Sequence, residues 1–300
     1  MSGKSNNKST EKSTGKSTEK STRERKETVS PYVFAAFTGD RSGSMRGIHN
    51  ESGIGLFEWA TDLIESANEK NQQGRMFITC FDNVSERRLD NVDLKNVKIT
   101  QRDCMNWMQP RGSTRLYDTA IEDLDNIIQK AKEFKKNLPR AVKMLNPEVS
   151  IVWACCTDGY DNCSVNGAND LKNKVLWARE QGVKCFFLAA NQDAVTTGQN
   201  YGFSADTSMT YTADAQHSAM AFRSVSTNMK RASCGKSGTF TQCQRQSSQN
   251  TRDTQTTNRQ TTNRQTTNRP PPHLTNRQRY YMNLNQTTPT LTRATSVRFL

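Results

Sequence analysis

Val33-Phe34-Ala35-Ala36-Phe37 runs through Thr38-Gly39 straight into Asp40-Arg41-Ser42-Gly43-Ser44. An apolar run without alternation suits a strand covered on both faces, as in a parallel sheet between two helical layers. Similar runs follow at 76–81, 151–156 and 184–190. Elsewhere apolar residues recur at helical spacing: Phe57, Ala60, Leu63/Ile64 and Ala67; Ile121, Leu124, Ile127/Ile128 and Ala131; Ala219, Phe222, Val225 and Met229. Residues 85–99 suggest an edge strand paired in a hairpin with 76–81. Strands alternating with helices imply an α/β fold: a doubly wound, mostly parallel open sheet with helices on both faces, Rossmann-like in plan. In such sheets ligands bind beyond the carboxyl ends of the strands, which is where Asp40 stands.

Composition sets the bounds of that fold. Residues 1–29 are a Ser/Thr/Lys-rich near-repeat with no apolar residue between Met1 and Val29, and cannot offset their ordering entropy by burial. From Ser233 the chain turns rich in Gln, Thr, Asn and Arg, with a five-residue repeat beginning Thr256-Thr257-Asn258-Arg259-Gln260 that is too short for a solenoid unit. The expectation is one folded domain over 30–232 between disordered tails at 1–29 and 233–300. Lys and Arg number 42 against 29 Asp and Glu, a net charge of +13. The first 29 residues hold 8 basic against 4 acidic side chains and residues 233–300 hold 10 against 1, leaving 24 of each sign in 30–232. The surplus belongs to the tails, where nucleic acid or another polyanion is a possible partner. No stretch resembles a signal peptide or a transmembrane span, so a soluble, cytoplasmic protein is expected. Eight cysteines show no Cys-x-x-Cys spacing, and Cys80, Cys155, Cys156 and Cys185 lie within apolar runs, as small hydrophobes do.

Asp40, Ser42 and Ser44 supply a carboxylate and two hydroxyls at alternate positions, hard oxygen donors suited to Mg²⁺, Mn²⁺ or Ca²⁺. Two other segments offer matching ligands. The run 151–156 leads into Thr157-Asp158-Gly159, placing a second carboxylate at a strand's carboxyl end. Gly112-Ser113-Thr114-Arg115-Leu116-Tyr117-Asp118 precedes a helix and brings Thr114. Two carboxylates and three hydroxyls from three loops make an oxygen cage with one position left for an outside ligand.

Taken together, these residues resemble the metal-ion-dependent adhesion site of the von Willebrand factor A (VWA) family. Its pattern is Asp-x-Ser-x-Ser, then a Thr in a Gly-rich turn, then the Asp of Thr-Asp-Gly. Asp40, Ser42, Ser44, Thr114 and Asp158 match it in order, and the likeness covers about 30–232, nearest to intracellular stand-alone members. The second glycine that often precedes the Thr is Ser113 here. The resemblance implies that Ser42, Ser44 and Thr114 contact the metal, that Asp40 and Asp158 hold it directly or through water, and that an acidic side chain of a partner protein completes the shell. Arg41, Arg46, Arg111 and Arg115 interleave these ligands. Two readings of them stand: an outward-facing rim that favours acidic ligands, or pairing with Asp161 and Asp118.

The same residues argue against an enzyme. A haloacid-dehalogenase-type phosphotransferase needs a second Asp where Ser42 stands. Gly15-Lys16-Ser17 and Gly235-Lys236-Ser237 lack the first glycine of a P-loop. His49, His217 and His273 are scattered. A metal-dependent interaction module, with no catalytic residues, is the function the sequence favours.

Overall fold

Tyr32–Asp40 forms β1, buried at all nine positions. Because side chains alternate across a strand, Val33, Ala35 and Phe37 enter one core while Phe34 and Ala36 enter the other. The computed structural model describes residues 32–249. Its other strands are β2 (Gln73–Phe81), β3 (Ser85–Asp93), β4 (Val149–Thr157), β5 (Lys184–Ala190) and β6 (Ser208–Tyr211). They form one sheet in the order β3-β2-β1-β4-β5-β6. β3 runs antiparallel to β2, and every other pairing is parallel. The chain builds outward from β1 to β2 and β3, then crosses to β1's other side for β4. The switch point therefore lies between β1 and β4, and a crevice opens at their carboxyl ends.

The helices are α1 (His49–Glu69), α2 (Gln101–Trp107), α3 (Leu116–Asn137), α4 (Arg140–Met144), α5 (Ala168–Glu180), α6 (Ala194–Asn200), α7 (Ala215–Ser233) and α8 (Gln242–Ser247). α1 and α7 cover one face of the sheet through Trp59, Leu63, Phe222 and Met229. α3 and α5 cover the other through Leu124, Ile127, Leu171 and Val175. A buried polar chain ties three strands to α3. Trp153 Nε1 donates to Thr38 Oγ1 (2.8 Å), whose hydroxyl donates to Asp123 Oδ2 (2.5 Å), and Thr79 Oγ1 donates to Asp123 Oδ1 (2.8 Å). The result is the expected doubly wound, mostly parallel α/β sheet with helices on both faces.

Several details differ from expectation. The edge strand stops at Asp93, where Asp93 caps a single turn, Leu94–Asn96, rather than continuing to 99. α2, α5 and α6 carry too few buried residues to stand out, α5 burying only Leu171, Val175 and Ala178, and β6 is only four residues long. The folded part also runs past 232. Residues 233–249, assigned by composition to the C-terminal tail, contain α8 and place Phe240 in the core, its ring edge-on to Phe186 at 6.0 Å between centroids. The segments 1–29 and 250–300 lie outside the described residues, as do the tail-borne polyanion contacts. No helix among the described residues is long and apolar enough to cross a membrane. Cys80, Cys155, Cys156 and Cys185 are all buried. Burial pushes the thiols of Cys80, Cys156 and Cys185 up to about 12, in keeping with use as hydrophobes.

Candidate metal centre

Three loops meet above the β1/β4 switch point. The first leaves β1 at Asp40, whose Oδ1 accepts the Ser42 amide at 2.7 Å, a turn that brings the Ser42 side chain back over the strand end. Ser42 and Ser44 share a hydrogen bond of 2.9 Å between their hydroxyls, and Ser44 Oγ donates to Asp158 Oδ1 at 2.7 Å. The loop after β4 is thus joined directly to the loop after β1. Thr114 completes the group: a methyl-sized probe on Gly159 would lie 3.5 Å from Ser44 Oγ and 3.9 Å from Thr114 Oγ1. The structure therefore brings all five sequence-expected residues to one crevice. Asp40, Ser42 and Thr114 form its buried floor and Ser44 its exposed lip.

The loops are held by contacts that sequence spacing does not reveal. Gly43 N donates to Gly112 O (3.1 Å) and Arg111 N to Arg41 O (2.9 Å), stitching the first loop to the one before α3. Gly112 has φ +66°, and a Cβ there would lie 2.2 Å from Asn83 Oδ1, so only glycine makes this turn. Asn162 Oδ1 accepts the Thr114 amide (2.8 Å), while Asn162 N donates to Thr114 O (3.0 Å). Asp118 accepts the amides of Val165 and Asn166, both at 2.9 Å. Burial pushes the Asp118 carboxyl up, but these bonds and the Arg115 charge outweigh it and hold the group below its usual range.

The arginines resolve in favour of pairing, mostly with partners other than those expected. Arg41 is buried and pairs with Asp82 (3.0 Å) and Glu86 (2.7 Å). Arg111 pairs with Asp82 (2.5 Å) and also with Glu86. Arg115 pairs with Asp118 (3.1 Å) and Glu122 (2.9 Å). Asp161 instead accepts the amides of Tyr117 and Ser164. Of these four arginines, Arg46 alone is exposed and forms no ion pair among the described residues. Of the two readings the sequence leaves open, pairing is the one observed: Arg41, Arg111 and Arg115 form a structural clamp, with only the Arg115–Asp118 pair among those expected.

Burial dominates the electrostatics of the floor. Burial raises the Asp40 carboxyl from 3.8 to about 7, against hydrogen bonds from Thr157 and Ser42, and the Asp158 charge raises it further. Thr157 Oγ1 donates to Asp40 Oδ2 at 2.6 Å and fixes its orientation. Thr157 thus belongs to the crevice although the sequence pattern singles out only its neighbour Asp158; its place at the last β4 position is the available signal. Among the described residues no group of three or more His, Cys, Asp or Glu side chains is placed to hold a metal. Any cation here would have to rely on hydroxyls, and this donor set of two carboxylates and three hydroxyls fits a hard divalent ion.

No protein-family model matches the sequence, and no curated protein matches it. Solved structures of similar shape include proximal thread matrix protein 1 from the mussel byssus, at 14% identity over 69% of this chain and 47% of that one, TM-score 0.44. The pilus adhesin SpaC from Lactobacillus rhamnosus GG aligns at 10% identity over 66% of this chain and 30% of that one, TM-score 0.49. A von Willebrand factor type A protein from Catenulispora acidiphila aligns at 12% identity over 67% and 43%, TM-score 0.45. The chain spans less than half the length of each. The fold assignment stands on the strand order and the two-sided core, independently of these distant likenesses.

Proposed function

We propose that this chain is a divalent-metal-dependent protein–protein interaction module. Asp40, Ser42, Ser44, Thr114 and Asp158 would hold Mg²⁺, or Mn²⁺ or Ca²⁺ in its place, and an Asp or Glu side chain of a partner protein would complete the shell. When bound, the metal supplies a Lewis-acidic position for that carboxylate. The observation that carries this reading is Ser44 Oγ, hydrogen-bonded both to Ser42 Oγ and to Asp158 Oδ1, which unites donors from two loops at a solvent-exposed lip.

The chain's own residues explain why such a grip would be reversible. Asp40 is anchored by Thr157 and by the Ser42 amide, so much of its charge is already engaged. Three of the five donors are neutral hydroxyls and both carboxylates already accept hydrogen bonds, so a dication held here would retain affinity for one further anion. The hydroxyls of Ser42 and Ser44 are engaged with each other and with Asp158, an arrangement of oxygen donors suited to sharing a cation, and the role proposed is adhesion.

The test is a thermal-shift and partner-capture pair on the full chain. Mg²⁺ at millimolar concentration should raise the Tm of the wild type and leave Ser42→Ala/Ser44→Ala unmoved. Capture of an acidic partner should require the ion and be reversed by chelator. Equal Tm shifts in wild type and variant would sink the metal assignment, and chelator-resistant capture would sink the metal-dependent grip.

A further inference from the structure

At the sheet's opposite edge, where β4 and β5 begin, lies a cavity of about 650 Å³, within the range that holds small organic ligands. Its floor is apolar: Ile128 and Ala131 from α3 and Ile151 from β4 are each at most 9% exposed. Its wall carries Lys132 and Lys135 from α3, Lys184 from β5 and Lys236 after α7, against a single acidic residue, Glu148. A second cavity of about 380 Å³ shares Lys184, Lys236 and Ser237 with it and adds Arg179. Residues 30–232 are neutral in sum, so this is a marked local excess of positive charge.

Lys135 and Lys184 form no ion pair among the described residues. Lys132 lies over the face of Trp177, its Nζ 5.5 Å from the ring centroid, a contact that leaves its charge unneutralised. Lys135 also suits the negative end of α3, but Lys184 opens a strand and has no such duty. Like charges gathered around one cavity repel one another, and a multivalent anion relieves that repulsion. Hydroxyls stand beside the lysines: Ser150 at the start of β4, and Ser237 in the Gly235-Lys236-Ser237 turn, where Gly235 has φ +74°. That turn follows a helix rather than joining a strand to one, so it is no P-loop.

We propose that this cavity is a second ligand site, distinct from the metal centre, that takes a soluble phosphate ester of nucleotide size. Lysines serve as point charges for the phosphates, and Ile128, Ala131 and Ile151 receive the apolar body.

Isothermal titration of the full chain with ADP, pyrophosphate and adenosine, all in EDTA, tests this without involving the metal. ADP should bind more tightly than pyrophosphate, and adenosine should not bind. Lys135→Glu/Lys184→Glu, two surface changes expected to leave the Tm in place, should weaken ADP at least about tenfold. Asp40→Ala should leave the ADP affinity unchanged. No ADP binding in the millimolar range overturns the proposal. So does an affinity unchanged in the lysine variant, which would place the nucleotide on the basic tails, or an affinity lost in Asp40→Ala, which would place it at the other edge.

Discussion

Asp123 holds its proton further up the pH scale than a surface carboxylate does, because burial raises it from 3.8 to about 6 against hydrogen bonds from Thr38 and Thr79. Below 3.8 folded and unfolded chains both carry the proton. Between 3.8 and about 6 the unfolded chain releases it while the folded chain keeps it, so stability falls as pH rises through this window. Above about 6 both states are ionised and the loss is complete, on the order of 3 kcal/mol for a shift of this size. Asp123→Asn should remove this slope, since its cost in hydrogen-bond geometry does not depend on pH. Denaturant titrations of wild type and variant from about pH 3.5 to pH 7 check it. The variant should gain roughly 3 kcal/mol relative to wild type across the range, and a pH-independent difference between them would refute the assignment. Asp123 also marks the reach of sequence reading at this scale. Asp40, Ser42 and Ser44 are legible because they sit together on one short loop. The Thr38–Asp123 and Thr157–Asp40 bonds span 85 and 117 residues, and no local pattern announces them.

At the scale of elements, the hairpin of β2 and β3 acts as a bracket for the metal loops. Asp82 is fully buried and accepts Arg41 Nε (3.0 Å), Arg111 Nε (2.5 Å) and the Val84 amide (2.9 Å), while its carbonyl accepts the Arg115 amide (2.8 Å). One residue after β2 therefore grips both the loop after β1 and the loop before α3. Removing a partner from a buried pair leaves an uncompensated charge, so Asp82→Ala should cost about 3–5 kcal/mol. It should also abolish the Mg²⁺-induced rise in Tm. Arg41→Met/Asp82→Leu separates the two effects: an apolar replacement should recover part of the stability, yet leave the Mg²⁺ response weak because the loops have lost their bracket. Full recovery of the Mg²⁺ response in that double variant would show that Asp82 has no positioning role. The four strong strands and the helices α1, α3 and α7 were legible because each presents a run or stripe wide enough to bury. The bracket was not, since a charged residue in a turn has the same appearance whether solvated or buried, and only the fold decides which.

For the molecule as a whole, the question is where the fold ends. Composition changes at Ser233, but packing does not. Phe240 is 6% exposed and its amide donates to Asp206 O at 2.8 Å. Arg245 donates to Ser208 O (2.5 Å) and Ala205 O (2.7 Å), and Ser248 O accepts the Thr212 amide (2.9 Å) beside the edge strand β6. A segment poor in apolar residues is thus held by one buried ring and a set of backbone bonds, which also satisfies groups that an exposed sheet edge would leave open. Composition averages over many residues and cannot register a single phenylalanine in the right place. Phe240→Ala should cost about 3 kcal/mol. A chain ended after residue 232 loses that ring together with the Arg245 and Ser248 bonds, for a deficit of roughly 5 kcal/mol. For a domain of this size that corresponds to a Tm lower by at least about 10 °C than that of a chain ended after residue 249. Thermal denaturation of the two chains, followed by far-UV circular dichroism at equal concentration, measures the difference directly. Coincident melting curves would return the boundary to 232 and make α8 an appendage; a separation of the expected size makes residues 233–249 the last structural layer of the sheet.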